Sequence, residues 1–567
     1  MVRLGTVLAI IAAFYLLWTI SIVVSLITAV VLLAIFVRLI YRDLENRAFM
    51  KHIEFLLQVN RDELKALNGE YQQFEDGTAL APKEHDYAAD IDIFGHASVF
   101  QFFNRTTSDP GAGRLADWLS APATSADILA RQEAVKELAG KADWRQDLQA
   151  YGRETRIRTT TVNRLQAWLH EPGLFIQFRH WQWLRYVLPG IILVIVAAAS
   201  FKQLPMNVMY GSLLIYALIA YKVNKVVAPL HERLSRIVDE MDILAQSIDL
   251  IEKEHFKSPE LQSIQAHFNA SNGKASTKIN RLKKILDRLD IRYNIVISAP
   301  LNILLLWNLQ QVLDLEKWKM QYTDDVTGWF SNLGMMEALN SFATIHFNNP
   351  DWCFARLKDD HFFLEANGLG HPLIASGKRI DNSIRIEKQA KLMIVTGSNM
   401  AGKSTYLRSV GVNVILAMAG APCCATDMTL SPVKLISSMR IADNLEESTS
   451  TFYAELKKLK SVIDKVNAGE KVFILLDEIL RGTNSLDRQT GSIALVKQLI
   501  KKQAVGIIAT HDLALAEMEK EFPRSIINAH FDAQINQEEL YFDYLLKPGV
   551  CKSINASILM RKIGIEM

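Results

Sequence analysis

Apolar positions in this chain fall first into long runs, then into helical periods, and last into short strand-like blocks. From Leu4 to Ile40 no charge interrupts the run before Arg38, whereas about 20 apolar helical residues suffice to cross a bilayer core. One strongly tilted helix or two short helices turning near Thr19–Ser21 would accommodate that length. We take the hairpin as the expectation, although no Gly or Pro marks the turn. A cleaved signal has an apolar region of only about 7 to 15 residues, so this segment is expected to be retained. A second block, "WLRYVLPGIILVIVAAASFKQLPMNVMYGSLLIYALIAYKVNKVV", divides at Phe201–Pro205 and predicts a transmembrane hairpin. Arg179, Arg185, Lys222 and Lys225 flank its outer ends, while Lys202 alone occupies the turn. The basic bias places both ends in the cytoplasm, and Arg38, Arg42, Arg47 and Lys51 place the exit of the first block there too. A third stretch, Tyr293–Leu313, is shorter and carries Pro300, Asn302 and Asn308; it predicts a buried helix.

Between these runs the period is helical. Arg42–Phe74 suits a juxtamembrane helix that breaks at "EDGTALAPKEHDY". Asp90–Gly152 reads as amphipathic helices punctuated by "SDPGAG" and "APATS", which supply turn and cap residues. Leu230, Leu234, Ile237, Met241, Leu244, Ile248 and Ile251 recur at steps of four and three, the seam of a helix starting at Pro229. In "STKINRLKKILDRLDIR" one face is apolar and the other basic. That basic face is either solvated or a phosphate-contacting surface for nucleic acid. Three apolar blocks near the C-terminus, Leu392–Val395, Val472–Leu476 and "VGIIATHD", read as buried strands whose polar residues gather at their C-terminal ends.

Length and composition then set bounds. At 567 residues several domains are expected, and the net charge of +2 gives no global footprint for nucleic acid. The four cysteines, Cys353, Cys423, Cys424 and Cys551, lack zinc or disulfide spacing, so they read as reduced core thiols and no zinc is expected.

The chemistry concentrates after Leu392. "KLMIVTGSNMAGKST" satisfies G-x-x-x-x-G-K-[ST] between a strand and a helix, the setting that such a loop requires. Its residues Gly397, Ser398, Asn399, Met400, Ala401, Gly402, Lys403, Ser404 and Thr405 are the candidate ATP-binding set. The glycines let backbone N–H groups curl around phosphate, and the helix N-terminus adds positive charge. Lys403 offers a point charge to the β and γ phosphates, and Ser404 a hydroxyl to Mg2+. "KVFILLDEILRGTN" ends a strand in two acids: Asp477 to hold Mg2+, Glu478 to activate the attacking water. His511, closing the third strand, is placed to sense the γ-phosphate.

These motifs resemble, in order, those of the MutS-type ATPases, a branch of the ABC-like P-loop ATPases. "TGSNMAGKST" is similar to TGPNMGGKST, "STSTFYAEL" to STFMxEM, "DEILRGTN" to DEIGRGT and "ATHD" to the ATH switch. "LGHPLI" is similar to the RHP segment that opens the family's ATPase domain, and Phe94–Leu138 to its helical core. The resemblance implies a homodimer with composite sites, in which Ser450, Thr451 and Phe452 of one subunit reach the γ-phosphate held by the other. It also nominates Tyr544 as the ring that contacts adenine. In this chain Ser398 stands for the usual Pro, and Ala401 and Leu480 for Gly. The mismatch-reading N-terminal domain has no counterpart; apolar segments occupy that end.

The expected fold is therefore multidomain α and α/β, with N-terminal transmembrane helices, an α-helical core interrupted by a transmembrane hairpin, and a C-terminal doubly wound P-loop ATPase domain. The expected boundaries are 1–41, 42–183, 184–224, 225–365 and 366–567. The expected function is a membrane-anchored, multi-pass ATPase with its ATPase domain in the cytoplasm, under a bacterial inner membrane, using ATP and Mg2+, touching membrane lipid, and driving clamp motion on DNA by analogy with mismatch repair. A transporter ATPase and a membrane scaffold acting on protein partners without DNA are the alternatives. Absence of an LSGGQ signature and of intramembrane acids or bases argues against the transporter.

Overall fold

The computed structural model describes residues 21–551 and the isolated residues 12 and 16, apart from 270–272, 361, 388–390, 399–400, 440–450 and 537–538. Its first element, α1 (Ile22–Leu67), joins the expected juxtamembrane helix to the end of the first apolar block without a break. Ser21, before it, is extended, and the rest of the turn expected near Thr19–Ser21 lies outside the described residues. Five short helices follow, α2 to α6 (Val99–Phe103, Asp109–Ser120, Ser125–Ala139, Ala142–Glu154, Thr159–His170). Ser108 and Thr124 cap α3 and α4 through their hydroxyls, as the turn composition predicts.

The second apolar block forms two antiparallel helices, α7 (Arg179–Ser200) and α8 (Met206–Ser235), joined at Phe201–Pro205. With α1 they are long and apolar enough to cross a membrane. Most of their large apolar side chains face outward, Val194 and Tyr221 among them. The seam residues from Leu230 to Ile251 are all buried, but they belong to two helices. Pro229 does not start a helix: it sits inside α8, and the break falls at Arg236–Ile237 before α9 (Val238–Lys253). The apolar period, read alone, does not register a local kink that preserves the buried face.

After α10 (Pro259–Phe268), the basic amphipathic segment forms α11 (Ala275–Asp290) with its predicted apolar face buried. Part of its basic face is neutralised within the chain: Lys278 is buried against Asp325 at 3.0 Å, and Lys283 pairs with Asp242 at 2.6 Å. Arg281, Lys284 and Arg288 remain exposed. The third apolar stretch corrects the expectation of burial. It divides into α12 (Ile295–Leu305) and the long α13 (Trp307–Asn348), and on α12 only Ser298 is buried while Ile295 and Val296 are 76% and 79% exposed.

Helix α13 is the spine of the helical half, burying Trp318, Trp329 and Phe342. At Gly334 it approaches α3 so closely that a Cβ would meet the Pro110 carbonyl at 2.8 Å. One turn later the fully buried Glu337 accepts hydrogen bonds from Thr107 Oγ1 (2.7 Å) and Ser108 Oγ (2.6 Å). Burial pushes its carboxyl above the usual range, against those hydrogen bonds.

The remaining chain is sheet-bearing. β1 (Arg356–Leu357), β2 (Phe363–Leu369), β3 (Asn382–Glu387) and β5 (Asp427–Leu430) form a small mixed sheet in the order β1-β5-β2-β3. β4 (Leu392–Thr396), β6 (Lys434–Ser438), β7 (Val472–Asp477), β8 (Val505–Thr510), β9 (Ile526–Asn536) and β10 (Glu539–Pro548) form the second, in the order β10-β9-β4-β8-β7-β6. Its strands are parallel except for β10, which returns antiparallel beside β9. Four helices belong to this half: α14 (Lys403–Ala419), α15 (Thr451–Asn467), α16 (Ser485–Lys501) and α17 (Leu513–Glu517).

Alternation along the strands shows why both faces need cover. Met393, Val395, Phe473 and Leu475 join the core that contains α14 and extends into the helical half. Leu392, Ile394, Ile474 and Leu476 join a separate core with Leu459 and Val462 of α15 and Leu495, Val496 and Leu499 of α16. Strands apolar on every residue are the signature of a parallel sheet sandwiched between helices.

Candidate functional site

Parallel register brings the candidate residues to one edge. Thr396 lies opposite Thr510 across the β4–β8 pair, and Asp477 lies opposite Ala509 across β7–β8. The loop after β4, the acids after β7 and His511 after β8 therefore share the C-terminal edge of three neighbouring strands. The next strand of this sheet in sequence after β4 is β6, which lies beyond β8 and β7, whereas β9 lies on the other side of β4; such a divergence of connections is where α/β sheets bind ligands.

The loop from Gly397 to Gly402 turns β4 into α14, and two of its positions require glycine. Gly397 has φ 149°, and a Cβ there would lie 2.7 Å from the Phe531 carbonyl. Gly402 has φ 101° and precedes the first turn of α14. A Cβ on Gly402 would lie 3.1 Å from the Tyr544 ring, which sets that ring beside the loop. Ala401 is buried and Thr405 is exposed on the first turn of α14. Asn399, Met400 and Ser450 lie outside the described residues.

Lys403 is folded onto its own loop. Its Nζ donates to the carbonyls of Gly397 (2.5 Å) and Ser398 (3.0 Å). Burial lowers the ammonium's pKa, with Glu478 and Asp477 opposing that shift. Ser404 Oγ donates to Asp477 Oδ2 at 2.5 Å. Burial raises the Asp477 carboxyl, partly offset by the Ser404 hydrogen bond and by Arg481.

Asp477 Oδ1 and Ser398 Oγ are buried without a hydrogen-bond partner among the described residues. Buried polar atoms are normally satisfied, so a hydroxyl, a carboxylate and an ammonium converging with orphaned oxygens suit a phosphate with a hard divalent cation. ATP and Mg2+ fit this donor set.

Glu478 follows in the left-handed region, φ 49°, held by its N–H on the Ala509 carbonyl at 2.9 Å. Its carboxylate lies 3.2 Å from Arg481 Nε and 3.6 Å from His511 Nδ1. Leu480 also has a positive φ, 59°, and its side chain packs on Gly491. A non-glycine there costs about 1 kcal/mol or more. This is one of the positions at which the sequence departs from glycine in the resembling motif.

Thr451 opens α15, and Phe452 packs on its own chain: a Cβ on Gly482 would lie 2.6 Å from Phe452 Cβ. Sequence reasoning missed Glu455, three residues further along the same helix. It is buried, and its Oε1 accepts from the Leu480 N–H. The signal was present as the acid within "STFYAEL", but nothing local says what it would hold. Also missed was the segment Glu84–Asp90, which ion-pairs with α15: Lys457–Glu84 at 3.1 Å, Lys458–Asp90 at 2.5 Å, and Lys465–Asp86.

With this geometry in hand, likeness to known proteins is informative. Residues 393–560 match the family model for MutS domain V. The chain is similar to the DNA mismatch repair protein MutS of Aquifex pyrophilus, 24% identical over 497 residues, covering 80% of this chain and 56% of that protein. It is similar to the DNA mismatch repair protein MutS of Fusobacterium nucleatum, 34% identical over 209 residues, which cover 35% of this chain and 23% of that one. MutS protein homolog 4 of Homo sapiens is 31% identical over 204 residues, 34% of this chain and 22% of that protein. The chain thus spans little more than half the length of these relatives at most.

Proposed function

Because the chain belongs to the MutS family, we propose that it is a membrane-anchored ATPase whose nucleotide cycle drives clamp-like motion of a homodimer on DNA. The observation that carries the ATPase reading is the meeting of Lys403, Ser404, Asp477, Glu478 and His511 at one sheet edge.

In this reading the loop N–H groups from Gly397 to Thr405 and the N-terminus of α14 bind the phosphates, and Tyr544 lies against the adenine side. Lys403 leaves the Gly397 and Ser398 carbonyls to neutralise phosphate oxygens. Ser404 and Asp477 would hold Mg2+, which would supply charge neutralisation at the transferred phosphoryl group. Glu478 orients and deprotonates the attacking water, and His511 sits against its carboxylate where the γ-phosphate would be sensed. Ser450, Thr451 and Phe452 would complete the site of a second protomer.

The hydrogen bond from Leu480 N–H to Glu455 makes that residue a positioning group for the loop that carries Glu478. Glu455→Ala is expected to lower kcat about tenfold and leave the ATP Kd nearly unchanged, whereas Glu455→Gln, which still presents an acceptor, recovers most of the loss. Steady-state hydrolysis with a parallel binding titration reads this split.

Three features support the membrane half: the length of α1, α7 and α8, the sparseness of charge along their apolar stretches, and the outward exposure of those side chains. The domain boundaries expected at 41, 183, 224 and 365 carry over as part of the same proposal. DNA comes to this chain from the names of its relatives and from the exposed Arg281, Lys284 and Arg288 of α11. The test is hydrolysis by the full chain in detergent or vesicles with duplex, branched or mismatched DNA. A severalfold, salt-sensitive change in rate is expected; an unchanged rate with all three at low salt removes DNA from the proposal.

A further inference from the structure

Helix α12, like the α7–α8 hairpin, is apolar in composition and yet exposed. From Tyr293 to Leu313 there is no charged residue. Yet Ile295, Val296 and Ile297 are 76%, 79% and 50% exposed. Consecutive residues point about 100° apart around a helix, so the first turn of α12 is apolar and exposed nearly all round, a surface that meets something other than water.

Both ends of α12 are tied to the foot of the α7–α8 hairpin. Before its start, Arg292 Nη1 donates to the Ala228 carbonyl at 3.2 Å. Just past its end, Leu306 takes the left-handed conformation (φ 48°), and Asn308 Nδ2 donates to Asn224 Oδ1 at 3.1 Å. Ala228 and Asn224 are four residues apart on α8, about 6 Å along its axis, whereas a helix of the length of α12 is about 16 Å long. A rod whose two ends stay at nearly one height crosses the hairpin instead of running along it. It packs against both α7 and α8 in doing so. The height is that of Lys222, Lys225 and Arg185, where each hairpin arm changes from apolar to basic. Arg185 itself reaches down to Gln310 (2.8 Å) and Asp314 (2.9 Å) on α13, which leaves α12 at a 77° bend.

The chemistry of α12 selects depth. Pro300, inside the helix, has no N–H, so one backbone carbonyl lacks its usual donor and is readily satisfied by water at a hydrated boundary. Tyr293, 65% exposed, and Trp307 bracket the helix with rings of the kind that settle at headgroup level.

Resting on the membrane reading above, we propose that α12 is an interfacial lipid-binding helix. It lies in the cytoplasmic face of the bilayer with its first turn, Ile295, Val296 and Ile297, among the upper acyl chains. The occupant of the exposed face is lipid, because that face is continuous with the exposed apolar surface of α7 and α8 at the level of their basic collar. The element fixes the head of α13 to the membrane plane.

The full chain, with Cys353 and Cys551 replaced by serine, is reconstituted in phosphatidylcholine vesicles and labelled with an environment-sensitive fluorophore at a single new thiol. The three sites are Val296→Cys, Val194→Cys on α7 and Lys253→Cys on α9. Lipids brominated near the headgroup end of the acyl chain are expected to quench the Val296 label about twofold, with deep bromines weaker there but stronger at Val194. The Lys253 label should respond to neither. Quenching at Val194 without quenching at Val296 overturns the inference and leaves the anchor intact. So does a Val296 label that becomes quenched only on dilution into excess lipid, because another protein then covered the face. Absence of quenching at Val194 removes the membrane reading itself, and the inference with it.

Discussion

Lys403→Ala is expected to lose ATP binding by a hundredfold or more. The residue is 2% exposed, and its ammonium already faces inward onto two loop carbonyls. Exchanging those partners for phosphate oxygens converts neutral acceptors to charged ones, and such hydrogen bonds contribute about 1.5 to 3 kcal/mol each. Two lost contacts correspond to a Kd shift on the order of a hundredfold to ten-thousandfold. Titration calorimetry with a non-hydrolysable ATP analogue measures it. Lys403→Met, which keeps the bulk that fills the loop, separates charge from packing: it should bind as poorly as Ala yet melt like the unsubstituted chain. An unchanged Kd in either variant would mean that the Gly397–Gly402 loop is not the phosphate cradle.

The second large effect is expected at Glu478. Glu478→Gln keeps the shape, the positive-φ backbone and the hydrogen bond from its own N–H to Ala509, but it cannot take a proton from water. General-base removal costs about 10² to 10⁴ in rate. The variant should therefore bind ATP normally, turn over at least a hundredfold more slowly, and accumulate the ATP-bound dimer on sizing columns. Turnover within threefold of normal would assign the water to another group. Loss of ATP binding together with turnover would instead mean that the carboxylate holds the loop through Arg481 and His511.

Much of the sheet half was legible because its signals are local. Leu392–Val395 and Val472–Leu476 are apolar on consecutive positions, which only a doubly covered strand needs, and each runs directly into its polar motif. The helical half was less legible. Pro229 reads as a helix start because proline usually is one, but the burial of Val227 and Leu230 on either side of it outweighs the missing hydrogen bond. Tyr293–Leu313 reads as buried because apolar residues usually are, and nothing in the string tells the interior of a protein from the boundary of a bilayer. Glu455 escaped because its partner, the Leu480 N–H, lies on a loop fixed only by tertiary packing. Tyr544 was reached by resemblance, and its ring does lie beside Gly402, although through a returning hairpin strand that no periodicity foretold.

The acids from Glu84 to Asp90 have a mechanical consequence. They fasten the root of the helical half to three lysines spread along α15, while Ser437 at the end of β6 donates to Asp90 Oδ2 at 2.7 Å. Whatever pulls on the threonine-led tip of α15 therefore tugs the distant bundle with it, as a bell-crank transmits a small displacement from one arm to the other.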